Sequence, residues 1–124
     1  AGVMACVFCE PTQILFENEW AKCFLDQNPV SNGHILIVPK RHEASFFELT
    51  KAEKLAIDEL LEKCKKYDDE KFNPDAYNVG INIGEASGQT VLHCHVHLIP
   101  RYENDVENPI GGVRGVIPEK QNYK

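Results

Sequence analysis

Apolar positions along the chain fall into short blocks separated by turn residues. Gln13-Ile14-Leu15-Phe16 and Lys22-Cys23-Phe24-Leu25 read as two short strands joined near Asn18-Glu19. Ile35-Leu36-Ile37-Val38, closed by Pro39, is almost wholly apolar, the pattern of a central strand covered on both faces. Asn28-Pro29, Asn32-Gly33, Asn73-Pro74 and Ser87-Gly88 mark turns. Thr50, with Glu53 three residues on, forms a capping-box pattern. Ala52, Leu55, Ala56, Leu60, Cys64 and Tyr67 then make an apolar stripe at helical spacing, widened by Ile57 and Leu61. Lys51, Lys54, Glu62, Lys63 and Lys66 take its polar side. This helix is expected to fade near Asp68-Asp69 and to stop before Asn73-Pro74. Tyr77 to Ile83 alternates, with Tyr77, Val79, Ile81 and Ile83 on one face. Gly84 to Gly88 make a loop, and Thr90 to Pro100 resume as a strand. Strands before and after one long helix predict an α+β domain, an antiparallel sheet with that helix packed on it. Arg101 to Lys124 has little periodicity and is expected to wrap the surface or a partner subunit.

Composition narrows the class. The 124 residues suit one domain. Residues 4–124 are assigned to it, with 101–124 as a C-terminal extension, and Ala1-Gly2-Val3 ahead of Met4 read as a cloning scar. Hydrophobic residues at 43% and charged residues at 26% give a globular balance that argues against disorder. No apolar run has the length of a membrane span, and no signal-peptide pattern opens the chain. Lys and Arg total 13 against 19 Asp and Glu, and the net charge of -6 disfavours a nucleic-acid partner. It leaves open an anionic small ligand held by backbone N–H groups, histidines and an arginine. The five cysteines, an odd count with no secretion signal, point to a reducing, cytoplasmic setting. Cys23, Cys64 and Cys94 sit in periodic apolar patterns and read as core residues.

The chemistry concentrates in His93-Cys94-His95-Val96-His97. On a strand these three imidazoles share one face, about 6.6–6.8 Å apart in sequence order. Cys94, Val96 and Leu98 then point into the core. Three histidines could bind one metal, although neighbours on a flat strand converge poorly, or they could line a solvated face. The preceding Gly84-Glu85-Ala86-Ser87-Gly88 loop favours a third reading, a phosphate cradle. A neutral imidazole is a competent nucleophile near pH 7, and a covalent imidazole–phosphorus intermediate divides one displacement into two. The central histidine, flanked by two hydrogen-bond donors, is the natural nucleophile.

His-Cys-His-Val-His-Leu-Ile resembles the histidine-triad signature, His-φ-His-φ-His-φ-φ. Phe24-Leu25-Asp26, Gly33-His34-Ile35-Leu36-Ile37-Val38-Pro39-Lys40 and Gly88-Gln89-Thr90-Val91 resemble the same family, in its order, so the likeness covers about Cys6 to Arg101. The resemblance implies a histidine-triad (HIT) α+β fold, usually a homodimer with the sheet extended across both subunits. It implies nucleotide hydrolases and transferases acting on an α-phosphate. By this likeness His95 is the nucleophile, His97 contacts the scissile phosphate and leaving group, and His34 supports the site. Asn82, Gly88, Gln89 and Thr90 fall at phosphate-contacting positions. Asp26 would accept ribose hydroxyls and Phe24 and Leu25 would wall the base, although Asp26 also suits a turn. Uridylyltransferase relatives carry glutamine at the third triad position, so His97 favours hydrolysis.

Cys6 and Cys9 form a C-x-x-C that alone could be redox-active or two core thiols. Many bacterial triad proteins open with such a knuckle and bind zinc, with a histidine after the Pro-Lys and the first triad histidine as further ligands. By that resemblance Cys6, Cys9, His42 and His93 form a structural Zn²⁺ site. His93 would then position its strand, leaving His95 and His97 for chemistry. The tail resembles that of diadenosine tetraphosphate hydrolase-like members, where Arg114 either reaches polyphosphate or pairs on the surface. Three functions follow: a dinucleoside polyphosphate hydrolase releasing a nucleoside monophosphate, a nucleoside phosphoramidate hydrolase, and a nucleotide-binding regulatory protein with slow turnover.

Overall fold

The computed structural model describes residues 6–11 and 13–123. The three residues read as a cloning scar lie outside them. Five strands form one antiparallel sheet in the order β1-β2-β3-β5-β4. They are β1 (Phe16–Glu17), β2 (Ala21–Leu25), β3 (Ile35–Pro39), β4 (Ala76–Ile81) and β5 (Val96–Arg101). One long helix, α1 (Lys51–Phe72), packs on one face. This is the α+β architecture the patterning predicts. β3 lies at the centre with all five residues buried, as its apolar run requires. None of the described helices is long and apolar enough to cross a membrane.

The sheet has two unequal faces. Towards α1, Ala21, Cys23, Ile35, Ile37, Cys94, Val96 and Leu98 meet Ala56, Ile57, Leu60 and Cys64 in the main core. The other face carries a smaller apolar cluster of Phe24, Leu36 and Val38, with Phe8 packed against it. All three cysteines assigned to the core are fully buried. The helix stripe is rotated from its predicted centre. Leu55 is 65% exposed, while Glu53 and Asp68 are buried at the two ends.

Glu53 has reasons to be inside. Its Oε1 accepts from Thr50 N–H, and its own N–H donates to Thr50 Oγ1, completing the expected capping box. Both carboxylate oxygens also take Arg41, Nη2 at 3.0 Å and Nε at 3.1 Å. The Arg41 guanidinium holds this carboxyl below the usual range, against the burial that opposes it.

Three boundaries differ from expectation. α1 continues to Phe72, past Asp68-Asp69, because the Lys65–Asp69 ion pair and the Tyr77 hydroxyl bond to Asp69 support its last turns. Asn73 then ends it in the left-handed region at φ 49°. β1 is shorter than its apolar run: Leu15 N–H still reaches Cys23 O, but Gln13 and Ile14 turn to a cavity wall. β5 starts at Val96 rather than Thr90, since Cys94 N–H donates to Glu43 O outside any strand. The tail forms short 3-10 turns at Gly112–Val116 and Pro118–Lys120, on the chain's surface.

Asp68 is fully buried, and neither of its carboxylate oxygens has a hydrogen-bond partner among the described residues. Gly33 presses against it at φ +92°, and a Cβ there would stand 2.7 Å from Asp68 Oδ1. Burial, with Asp69 adding to it, pushes the carboxyl from an ordinary 3.8 up to about 7. The folded chain then holds a proton that the unfolded chain has lost, so this group's contribution to stability falls as pH rises from about 4 to about 7. Asp68→Asn is expected to raise the thermal midpoint at pH 8 and to flatten its decline between pH 4 and 8. Thermal melts of both chains across that range check this, and a variant less stable than the parent at pH 8 would refute it.

Candidate active site

The face of the sheet away from α1 holds the histidines. His97 lies on β5 between Leu36 of β3 and Gly80 of β4. Gly80 has no side chain to crowd the imidazole, and space beside it is open. His93 and His95 belong to the extended lead-in, off the regular ladder. The three rings therefore do not stand in a straight row. His95 and His97 meet edge to face at 5.0 Å, while His93 meets His42 at 5.0 Å instead.

Hydrogen-bond partners assign the tautomers. Val30 N–H donates to His34 Nδ1 at 3.1 Å, so the hydrogen of neutral His34 sits on Nε2. That nitrogen donates to His97 Nδ1 at 2.9 Å. The hydrogen of neutral His97 is thus on Nε2, which is buried without a partner among the described residues. His95 Nδ1–H donates to His93 O at 2.8 Å, leaving the Nε2 lone pair available. His93 Nε2–H donates to Pro39 O at 2.8 Å, leaving its Nδ1 lone pair facing the thiols. Burial is the main cause holding His34 and His97 below the ordinary imidazole range. For His97, neighbouring His95 and His34 add to it and the value is pushed down to about 4.

His95 and His97 open onto a cavity of about 1060 Å³. Phe24, Leu25, Asp26, Asn82, Gly88, Thr90, His95 and His97 all line it. Asp26 Oδ1 accepts from Asn28 N–H at 2.8 Å, and Oδ2 lies 3.6 Å from His34 Nε2. The carboxylate thus makes the turn bond and still faces the cavity. Gln89 is placed differently. Its side chain is buried in its loop, accepting from Gly84 N–H and donating to Ala44 O and Val91 O. It shapes the loop and does not line the cavity. Arg114 also stays outside: it donates to Lys120 O and stacks on Tyr123 at 5.0 Å.

The second cluster joins Cys6, Cys9, His42 and His93, whose donor atoms all lie within 4.8 Å of one another. Cys6 Sγ and Cys9 Sγ are each 3.4 Å from His93 Nδ1, and Cys9 Sγ is 3.3 Å from His42 Nδ1. A tetrahedral zinc with these ligands has sulfur–nitrogen edges of about 3.5 Å. Two soft thiols, two imidazoles and a backbone-oriented His93 ring fit such an ion.

Two residues of this region were not apparent in the sequence. Phe8 lies between the cysteines and packs edge to face on His95 at 4.8 Å and against Phe24 at 5.5 Å. Lys22, 7% exposed on β2, donates to Cys9 O at 2.6 Å and pins the knuckle to the sheet. The Cys-Val-Phe-Cys spacing was visible, but no local signal says what Phe8 or Lys22 touches.

The HIT domain profile matches residues 8–104. The chain belongs to the HIT family. It is similar to an adenylylsulfatase of Arabidopsis thaliana, 35% identical over 81% of this chain and 54% of that protein. It is also similar to an asymmetrical bis(5'-nucleosyl)-tetraphosphatase of Schizosaccharomyces pombe, 32% identical over 76% of this chain and 52% of the other. The chain thus spans about half of each. A zinc-bound histidine triad protein of Mycobacterium smegmatis superposes with a TM-score of 0.75 at 30% identity, covering 86% and 82% of the two chains. The fold is the HIT fold, one long helix on a five-stranded antiparallel sheet.

The His97 environment carries a measurable consequence. Its imidazole is expected to stay neutral, protonated on Nε2, down to about pH 4. Because the folded value is depressed, the associated stability is present above about pH 6.5 and is lost as pH falls towards 4. Imidazole nitrogen shifts followed by NMR titration check this, and a His97 midpoint near 6.5 would contradict it.

Proposed function

We propose that this HIT protein is a nucleotidyl hydrolase that attacks the α-phosphate of a dinucleoside polyphosphate, diadenosine tetraphosphate being the reference substrate, and releases a nucleoside monophosphate. The observation that carries this reading is the His95 ring, anchored through Nδ1–H with Nε2 left as a nucleophile on the cavity. Its electron pair forms a bond to phosphorus, and the bond from phosphorus to the bridging oxygen breaks with the pair leaving on polyphosphate. Water then attacks phosphorus, the bond from phosphorus to His95 Nε2 breaks with its pair returning to the ring, and the water proton passes to solvent as the monophosphate leaves. His97 Nε2–H, fixed as a donor through His34, is a hydrogen-bond donor for the developing negative charge. Asp26 accepts ribose hydroxyls, Phe24 and Leu25 hold the base, and Asn82, Gly88 and Thr90 meet phosphate. Gln89 acts through loop shape.

The two named relatives act on different leaving groups, a polyphosphate and a sulfate by their names. Both leave as weakly basic anions. A phosphoramidate must instead protonate its departing amine. His97, held below the ordinary imidazole range by burial, is a poor source of that extra proton near pH 7. This direction supports anhydrides over phosphoramidates. The backbone bonds that fix His34 and His95 in one tautomer support catalysis over a purely regulatory binding role.

His95→Ala is expected to abolish covalent nucleotide labelling and to cut turnover by about four orders of magnitude or more. Trapping with radiolabelled substrate checks this, and retained labelling would sink the mechanism. Diadenosine tetraphosphate is expected to exceed an adenosine phosphoramidate in kcat/KM, and the reverse order would assign the second activity.

The resident metal in this reading is structural zinc on Cys6, Cys9, His42 and His93. It would tie the N-terminal knuckle to the lead-in of β5. Cys6→Ser is expected to lower zinc content and thermal midpoint more than kcat. Metal analysis and melting curves check this; a zinc-free parent chain, unaffected by the substitution, would exclude the site. The reading includes a homodimer, supported by the open edge of β4 with Val79 46% exposed. It includes a reducing, cytoplasmic setting, supported by five cysteines free of disulfides.

A further inference from the structure

Two thiols that the reaction does not use face each other across the main core. Cys23 lies on β2 and Cys64 on the buried stripe of α1, and both are fully buried. Their sulfurs are 3.2 Å apart, although the residues are 41 positions apart in the chain. A disulfide bond is about 2.05 Å long, so bonding requires the sulfurs to close by about 1 Å. Cys94 shares the core but has no sulfur partner among the described residues.

The pair is chemically unequal. Cys64 S–H donates to Cys23 Sγ. This bond holds the Cys23 thiol below its ordinary range against burial, which raises it, with the Phe16 carbonyl bond and Lys63 as smaller contributions in the lowering direction. The same bond, with burial, holds Cys64 above it. Cys23 is the better nucleophile of the two. The elements behind the two sulfurs also meet at the cavity. β2 contributes Phe24 and Leu25 to its wall, and α1 contributes Tyr67 and Lys71, one and two turns beyond Cys64.

We propose that Cys23 and Cys64 are a redox pair, which a small hydroperoxide converts to a disulfide clamping α1 to β2 behind the wall of the cavity. Cys23 sulfur attacks the terminal peroxide oxygen, the O–O bond breaks, and sulfenic acid forms as water or alcohol departs. Cys64 sulfur attacks that sulfenic sulfur and releases water, with its thiol hydrogen lost to the departing oxygen. The two thiols are oxidised by two electrons and one peroxide is reduced. Hydrogen peroxide is small enough to reach buried sulfur through local opening. A bulky disulfide such as oxidised glutathione is not.

The test uses the full chain supplied with zinc, so that metal protects the Cys6 and Cys9 thiolates. After hydrogen peroxide treatment, acid quenching and alkylation, non-reducing peptide mapping is expected to find Cys23 joined to Cys64. The denatured thiol count should fall by two and the thermal midpoint should rise by several degrees. Dithiothreitol should reverse both changes. Cys64→Ala should stop at a dimedone-reactive sulfenic acid on Cys23, whereas Cys23→Ala should give no such adduct on Cys64. The mapping of the parent chain stands even where a variant fails to fold. Peroxide that oxidises Cys6 and Cys9 while leaving Cys23 and Cys64 unlinked overturns the proposal, as does a sulfenic acid trapped on Cys64. The His95 experiments do not bear on either outcome.

Discussion

An imidazole has two nitrogens, and the site depends on spending one of them on the main chain. His34 Nδ1 takes Val30 N–H, His93 Nε2–H goes to Pro39 O, and His95 Nδ1–H goes to His93 O. Each bond settles the role of the remaining nitrogen. His34 becomes a donor, His93 an acceptor facing the two thiols, and His95 a nucleophile with its free lone pair on Nε2. His97 alone has no backbone anchor in this set and is oriented by His34. Pro39 O at the end of β3, His93 O in the lead-in of β5 and the Val30 N–H before β3 supply these partners, so the chemistry of four side chains follows from the backbone path.

His93 connects two sites through opposite ends of one residue. Its ring faces Cys6 and Cys9, while its carbonyl holds His95. A shift of the knuckle would therefore be felt at the nucleophile through a single peptide unit. Phe8 supplies a second connection, since it packs on His95 and Phe24 from within the Cys6–Cys9 turn. Lys22 restrains that turn from below by holding Cys9 O. A structural metal in such a place would set the fine position of groups it never touches.

The legible parts of this chain were those written at short range. The capping box, the apolar β3 run, the triad and the C-x-x-C each declare themselves within a few residues. The resemblance extended this to Asp26 and His34, which meet His97, and to His42, which meets the cysteines and His93. What stayed hidden depends on partners elsewhere. Nothing near His93 or His95 shows that Glu43 O will draw Cys94 N–H away from the ladder. The inward turn of Gln89 depends on Ala44, 45 positions away. The rotation of α1, which leaves Leu55 exposed, likewise depends on Arg41, which makes a buried Glu53 acceptable.

Glu53 joins a local motif to a distant one. Half of its bonding closes the first turn of α1, and half holds Arg41, the neighbour of His42. Helix nucleation is ordinarily a private matter of three or four residues. Here the first turn is completed only when the segment after β3 has arrived. The start of the helix and the His42 loop therefore form one cooperative unit, and their amides should exchange with solvent at a common rate rather than fraying independently.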